Sequence, residues 1–289
     1  MTGKRWWRTA AGAAVLGLLA PLGCGGGSSS APAGAGKAGG HAVSPPADTT
    51  PKPAATAPTA AAAPTPAPTT PPDIKPTAGA GTLVGRVSYN GEPPKRKPIN
   101  FGAEKKCHEH HETPPTDDSL VVGSDRSVQW VLVRVAGKVP GSYPPGPPVV
   151  LDQKGCVFTP HVVAVQEGQE VDIRNSDPVL HNVRCEAVVN PAFNRNLPKP
   201  GDSMKVKFDA AEVGMKLKCD VHFWMGGVIH VIPHPFFAVT GADGRFTIPK
   251  LPPGTYKLEA WHEKLGKQSK EITVKEGGVQ TADFTFEAK

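Results

Sequence analysis

From Thr82 onward no window longer than ten residues keeps a helical apolar period, whereas short alternating or continuous apolar runs recur between Gly, Pro, Asn and Asp residues. TLVGRV, VQWVLVRV, VVLD, HVVAVQ, EVDIRN, MKVKF, GVIHVI, GRFTI, TYKLEAW and KEITV all read as strands. A chain of this kind buries apolar surface only by stacking or closing sheets, so the expected class is all-β, as sandwiches or barrels. Asn90-Gly91 and Asp243-Gly244 carry the residue types that tight hairpin turns require.

The N-terminal part has a different character. Residues 1–24 have the three-part form of an export signal: Lys4, Arg5 and Arg8, an Ala/Leu-rich run from Ala10 to Ala20, and small residues before Cys24. The apolar run is too short to cross a bilayer. Cys24 opens a Gly/Ser run, and the junction resembles the lipobox of bacterial lipoproteins, whose cysteine is lipidated. Leu22 and Gly23 fit that pattern and Pro21 departs from it. Residues 25–80 are mostly Gly, Ser, Ala, Thr and Pro without an aromatic residue, which predicts a disordered spacer. The GxGxxG string at Gly34–Gly39 lies inside it, with no strand before or helix after, and carries no nucleotide-loop meaning. The net charge of +6 falls to +3 once the three leader cations are set aside, too small an excess to point to nucleic acid. The expectation is an exported cell-envelope protein, periplasmic or extracellular, anchored to the membrane by a lipid on Cys24.

The most informative stretch runs from Cys156 to Val231. It places His181 after an apolar strand and a loop, and Cys219, His222 and Met225 together in MKLKCDVHFWMGGVIHV. One thiolate, two imidazoles and a thioether are the donors of a blue-copper site, three strong ligands and a long axial Met. The segment resembles the cupredoxins of the amicyanin and plastocyanin kind. The likeness rests on C-x2-H-x2-M, on F-x-P at Phe158–Pro160, on Asn175-Ser176-Asp177 before the first His, and on His181-Asn182. It implies a Greek-key sandwich over residues 149–233 with one type 1 copper held by His181, Cys219, His222 and Met225. It also implies that His222 is the electron exit, reaching solvent through an apolar patch of Pro178, Val179, Leu180, Phe223 and Trp224. Lys218-Cys219-Asp220 is not His-Cys-His, and the loop has a single cysteine, so neither a trinuclear oxidase nor a binuclear copper centre is expected.

Five cysteines in an exported chain suggest an oxidising compartment. Apart from Cys24 and Cys219, three remain, which allow three single bridges. Cys107 with Cys156 is favoured, because Cys185 keeps step with His181 and Val183 on a strand and should face inward as a free thiol. Cys107, His108, His110 and His111 lie close together, but the run has no distant fourth partner, so a solvated polar loop is expected rather than a second metal site. His161 follows Pro160 at the start of a strand and is expected as an edge or loop residue, and His230, His234 and His262 have no spacing that adds chemistry.

From Phe236 the chain carries T-x-x-D-G-x-F and L-P-P-G-x-Y-x-L, and residues 236–289 resemble the transthyretin-like, carboxypeptidase regulatory-like domains. The resemblance implies a small supporting β-sandwich without catalytic residues, and no HExxH motif is present. The usual opening of such domains is missing there but occurs upstream, in Val84-Gly85-Arg86-Val87 with Asn90-Gly91-Glu92-Pro93-Pro94. Residues 81–140 are therefore expected to supply its first strands, with the cupredoxin inserted between Pro140–Pro148 and His234-Pro235. The expected function is mononuclear blue-copper electron transfer with a redox partner protein, and not an enzyme activity. The alternatives are an envelope binding or scaffold module with a relic copper loop, and copper capture or delivery.

Overall fold

The computed structural model describes residues 79–288; the expected leader, Cys24, the Gly34–Gly39 string and nearly all of the expected spacer lie outside the described residues. The described chain is all-β apart from α1 (Lys105–Glu109). Its strands form two sandwiches that share a face.

In the first sandwich, β1 (Gly81–Asn90) is the central strand of one sheet. Gly85 lies opposite Phe246 of the antiparallel β13 (Arg245–Leu251). On its other side β16 (Val279–Thr281) and then β17 (Phe284–Glu287) run parallel to β1. The facing sheet has the order β12 (Phe237–Val239), β2 (Leu132–Val135), β14 (Gly254–His262) and β15 (Gly266–Val274), with Val135 opposite Leu258. Strand alternation sends Leu83, Val87, Val133, Val135, Phe246 and Leu258 into one core between the sheets. The two halves of this sandwich are separated in sequence by the whole of the second.

The second sandwich pairs a sheet ordered β4 (Phe158–Thr159), β3 (Val149–Gln153), β6 (Glu170–Asn175) and β9 (Ser203–Lys207) with a larger one. The larger sheet is ordered β5 (Val162–Gln166), β11 (Gly226–Ile232), β10 (Glu212–Lys218), β7 (His181–Glu186) and β8 (Phe193–Leu197). Alternation along β5 and β11 serves two cores. Val163, Val165, Ile229 and Val231 point into the second sandwich. Val162, Ala164, Val228 and Ile232 point out of it, onto Trp130, Leu132, Phe237 and Val239 of the first. This is why HVVAVQ and GVIHVI read as almost continuous apolar runs: a strand covered on both faces has no polar side.

Neither expected hairpin forms. β1 ends at Asn90, and the chain leaves through Pro93-Pro94 into a long connection to β2 that contains α1, because Pro holds the preceding residue extended. Asp243-Gly244 links β12 to β13, which belong to different sheets. That corner needs glycine: Gly244 has φ +69, and a Cβ there would sit 2.5 Å from the Val87 carbonyl oxygen.

Three buried histidines lie on or beside the shared face. Nδ1 of His230 accepts the Gly214 amide at 3.0 Å, Nδ1 of His234 accepts that of Phe236 at 3.2 Å, and Nδ1 of His262 accepts those of Lys264 and Leu265 at 3.1 and 3.3 Å. Each ring must stay neutral to accept, and burial pulls His230 down to about 3 and His234 and His262 down to about 4. The unfolded chain protonates them near pH 6.5, so stability is fully present above that pH and is lost as pH falls towards the folded values. The unfolding free energy from urea titrations should therefore drop between pH 6.5 and 4, by up to about 1.4 kcal/mol per pH unit for each ring. His262→Gln should flatten the profile.

Candidate metal centre

His181 opens β7, Cys219 follows the last residue of β10, and Met225 precedes the first residue of β11, so one end of the second sandwich gathers all four expected ligands. His181, Cys219, His222 and Met225 are all buried. The loop between β10 and β11 is held by its own backbone and by Asn182. The Met225 amide donates to the His222 carbonyl at 2.9 Å, and the Asp220 amide donates to Asn182 Oδ1 at 3.1 Å. Asn182 and His222 each point a backbone N–H at the Cys219 sulfur, both at 3.4 Å. Burial would raise the Cys219 thiol, but hydrogen bonds with His181, His222 and these two amides outweigh it and bring it down to about 6. Cys185, facing the sandwich core without such donors, is a free thiol pushed up to about 12 by burial.

Nε2 of His181 donates to Asp177 Oδ2 at 2.8 Å, which leaves Nδ1 with its lone pair turned inward. That Nδ1 lies 3.0 Å from Nδ1 of His222, which is 3.9 Å from the Cys219 sulfur. Donor atoms of His181, Cys219 and His222 lie within 4.8 Å of one another. Three electron-pair donors facing one point, with a thioether buried beside them, fit a soft cation, and thiolate with imidazole suits copper. The cluster resembles a type 1 copper site.

Sequence reasoning gave Asp177 no role. Its carboxylate is 1% exposed and accepts the amides of Gly155 at 2.7 Å and Cys156 at 2.8 Å. Gly155 and Cys156 have φ of 67° and 56°, and successive left-handed residues aim both N–H groups into one anion-binding nest. Burial acts to raise the Asp177 carboxyl, but the bonds from His181, Cys156 and Gly155 hold it below its ordinary value. The sequence signal for it was its place in Asn175-Ser176-Asp177, four residues before His181.

Cys107 and Cys156 form a disulfide. Cys107 is on α1, and its sulfur lies 4.0 Å from Nε2 of His222. His222 is thus 1% exposed and does not reach solvent, a correction to the exit implied by the cupredoxin likeness. Of the expected patch, Pro178, Leu180 and Phe223 are exposed, while Val179 and Trp224 are half-buried against Phe101 and the disulfide. The histidines around Cys107 do not converge. Nε2 of His108 meets the Gly102 carbonyl at 3.2 Å, that of His111 meets the Gly155 carbonyl at 2.7 Å, and that of His110 stands 3.7 Å from Asp177 Oδ1. His161, expected as an edge or loop residue, is buried and pairs with Glu263.

A β-sandwich whose end carries a buried His, Cys, His and Met set of this kind is cupredoxin-like. The Carboxypeptidase regulatory-like domain family matches residues 231–287, which contain β12 to β17 of the first sandwich. Among solved structures, a mutant amicyanin in its Cu(I) form is similar at 20% identity over 33% of this chain and 97% of that one, with a TM-score of 0.27. A purple cupredoxin from Nitrosopumilus maritimus is similar at 23% identity over 29% of this chain and 99% of that one, with a TM-score of 0.25. A copper-containing nitrite reductase from Thermus scotoductus is similar at 22% identity over 33% of this chain, with a TM-score of 0.27, and the match spans only 25% of the reductase. No curated protein matches the chain.

Because Asp177 fixes the tautomer and orientation of His181, Asp177→Asn should weaken Cu(II) binding about 10- to 100-fold in a chelator competition, and it should also lower the thermal midpoint of the metal-free chain, because one oxygen that accepts a buried amide becomes a donor.

Proposed function

We propose that the protein is a mononuclear type 1 copper protein acting in electron transfer, exported and tethered to the cell envelope through a lipid on Cys24, with a redox protein as its partner. The observation that carries this reading is that protein side chains supply all four donors, His181, Cys219, His222 and Met225, inside a buried pocket. Copper bound there would supply a one-electron couple. The protein's part is to hold the donors still: Asn182 and the Met225 turn fix the loop, the two N–H groups stabilise the Cys219 thiolate, and Asp177 fixes His181. A donor set that does not rearrange favours electron exchange over chemistry at the metal, and with every position taken no place is left for a substrate. The Cys107–Cys156 disulfide supports an oxidising compartment.

The reading includes a division of labour. Residues 149–233 form the copper-binding module, inserted into a carboxypeptidase regulatory-like scaffold made of residues 81–140 and 236–289. The scaffold gives the copper module a fixed mount through the shared apolar face.

Copper-loaded protein should show an intense thiolate-to-copper absorption that bleaches on reduction and returns on oxidation. Cys219→Ser should abolish the band in a folded chain, since the thiolate supplies both the colour and the strongest bond. Met225→Ala should keep the band and shift the reduction potential; an unchanged potential would remove Met225 from the donor set. A protein that bound copper without this band, or released it readily to a competing chelator, would instead be a capture or delivery protein.

A further inference from the structure

The long connection from β1 to β2 belongs to the first sandwich by its ends and to the metal centre by its middle. Phe101 and Cys107 are completely buried, and with Cys156 they make a small core against Ile99, Val179 and Trp224. Three further contacts fasten this segment down. The Phe101 ring stacks on His111 at 5.5 Å, His111 meets the Gly155 carbonyl, and Lys106 Nζ donates to the Pro178 carbonyl at 3.2 Å. Gly155 admits that contact because it has no side chain: a Cβ there would lie 2.8 Å from the His111 ring. The segment is thus a fixed cover, and what it covers is Nε2 of His222, the ring edge turned away from Cys219.

One chain of ring contacts leads from His222 to water. The Trp224 ring lies 5.1 Å from that of His222, and its Nε1–H donates to the Cys156 carbonyl at 3.0 Å, which locks it in place. The Phe223 ring meets Trp224 edge-on at 5.3 Å and is 85% exposed. The cover packs on one side of Trp224, where the Phe101 ring meets it edge-on at 5.4 Å, and leaves Phe223 uncovered. A cavity of about 880 Å³ opens between Pro98, Pro115 and the Phe223–Gly227 stretch.

We propose that the disulfide-held segment 99–111 closes the His222 edge to electron partners and moves electron exchange to the Trp224–Phe223 pair, making Phe223 the residue that determines which surfaces can exchange electrons with the site. The proposal rests on the electron-transfer reading. Electron coupling falls steeply with the gap between donor and acceptor, so a partner held off the imidazole by α1 must couple through whichever ring stands nearest to it.

The test is the electron self-exchange rate of the copper-loaded full chain, read from NMR line broadening in mixtures of the oxidised and reduced protein. Phe223→Ala, a surface change, should keep the absorption band and the potential yet slow exchange about tenfold, equivalent to ~1.4 kcal/mol of barrier. The double variant Cys107→Ser with Cys156→Ser should release the cover and speed exchange about tenfold, with little remaining dependence on Phe223. Unchanged exchange in Phe223→Ala with the band intact overturns the proposal, and this variant decides it alone if the double variant does not fold. Absence of the band in the unmodified protein would instead overturn the electron-transfer reading itself.

Discussion

Cys156 is where three separate constraints on the metal centre meet. Its sulfur is tied to Cys107, which places α1 against His222. Its amide donates to Asp177, which holds His181. Its carbonyl accepts from Trp224, which packs on His222. One residue in a left-handed conformation therefore orients the outer side of both histidines. Placement of the candidate ligands depends on a residue outside the His181, Cys219, His222 and Met225 set, in keeping with the role of outer-shell groups in fixing the rings of metal-bound histidines.

The second constraint is the double burial of β5 and β11. Residues of one parity fill the second sandwich and those of the other parity seal it to the first, so a single strand pair belongs to two cores. β10, which leads into Cys219, pairs along β11, so the Cys219–Met225 loop springs from a strand clamped on both faces. Rigidity at the site is inherited from that clamp, and the neutral histidines along it make the clamp sensitive to acid.

Strands with a strong apolar signal were legible in the sequence, and the all-β class with them. VQWVLVRV reads as eight extended residues, yet only Leu132–Val135 joins a ladder, because Trp130 takes φ +66 and turns the chain just before it. β8, FNRNL, and β16, VQT, have too few apolar residues for an alternation to register. The four donor positions were legible because their spacing is local to one loop and one strand start. Asp177 and Phe101 were not: their roles arise only when Gly155, Cys156 and α1 are brought in from distant parts of the chain. The run around Cys107 looks solvated because its exposed histidines dominate the composition, while the buried Phe101 and Cys107 beneath them carry the packing.

The order of the cysteines along the chain has a consequence for assembly. Among the described residues they come as Cys107, Cys156, Cys185 and Cys219. Were the chain oxidised as it emerged N-terminus first, the two bridge-forming residues would be met before the other described pair, and joining neighbours in sequence would yield the bridge seen in the fold. Cys219 would appear last, with Cys185 the one described cysteine before it left unbridged, and Cys185 stands in a strand interior with its proton held by burial. The bridge that holds the cover over His222 would then also leave fewer cysteines with which Cys219 could form a wrong bridge.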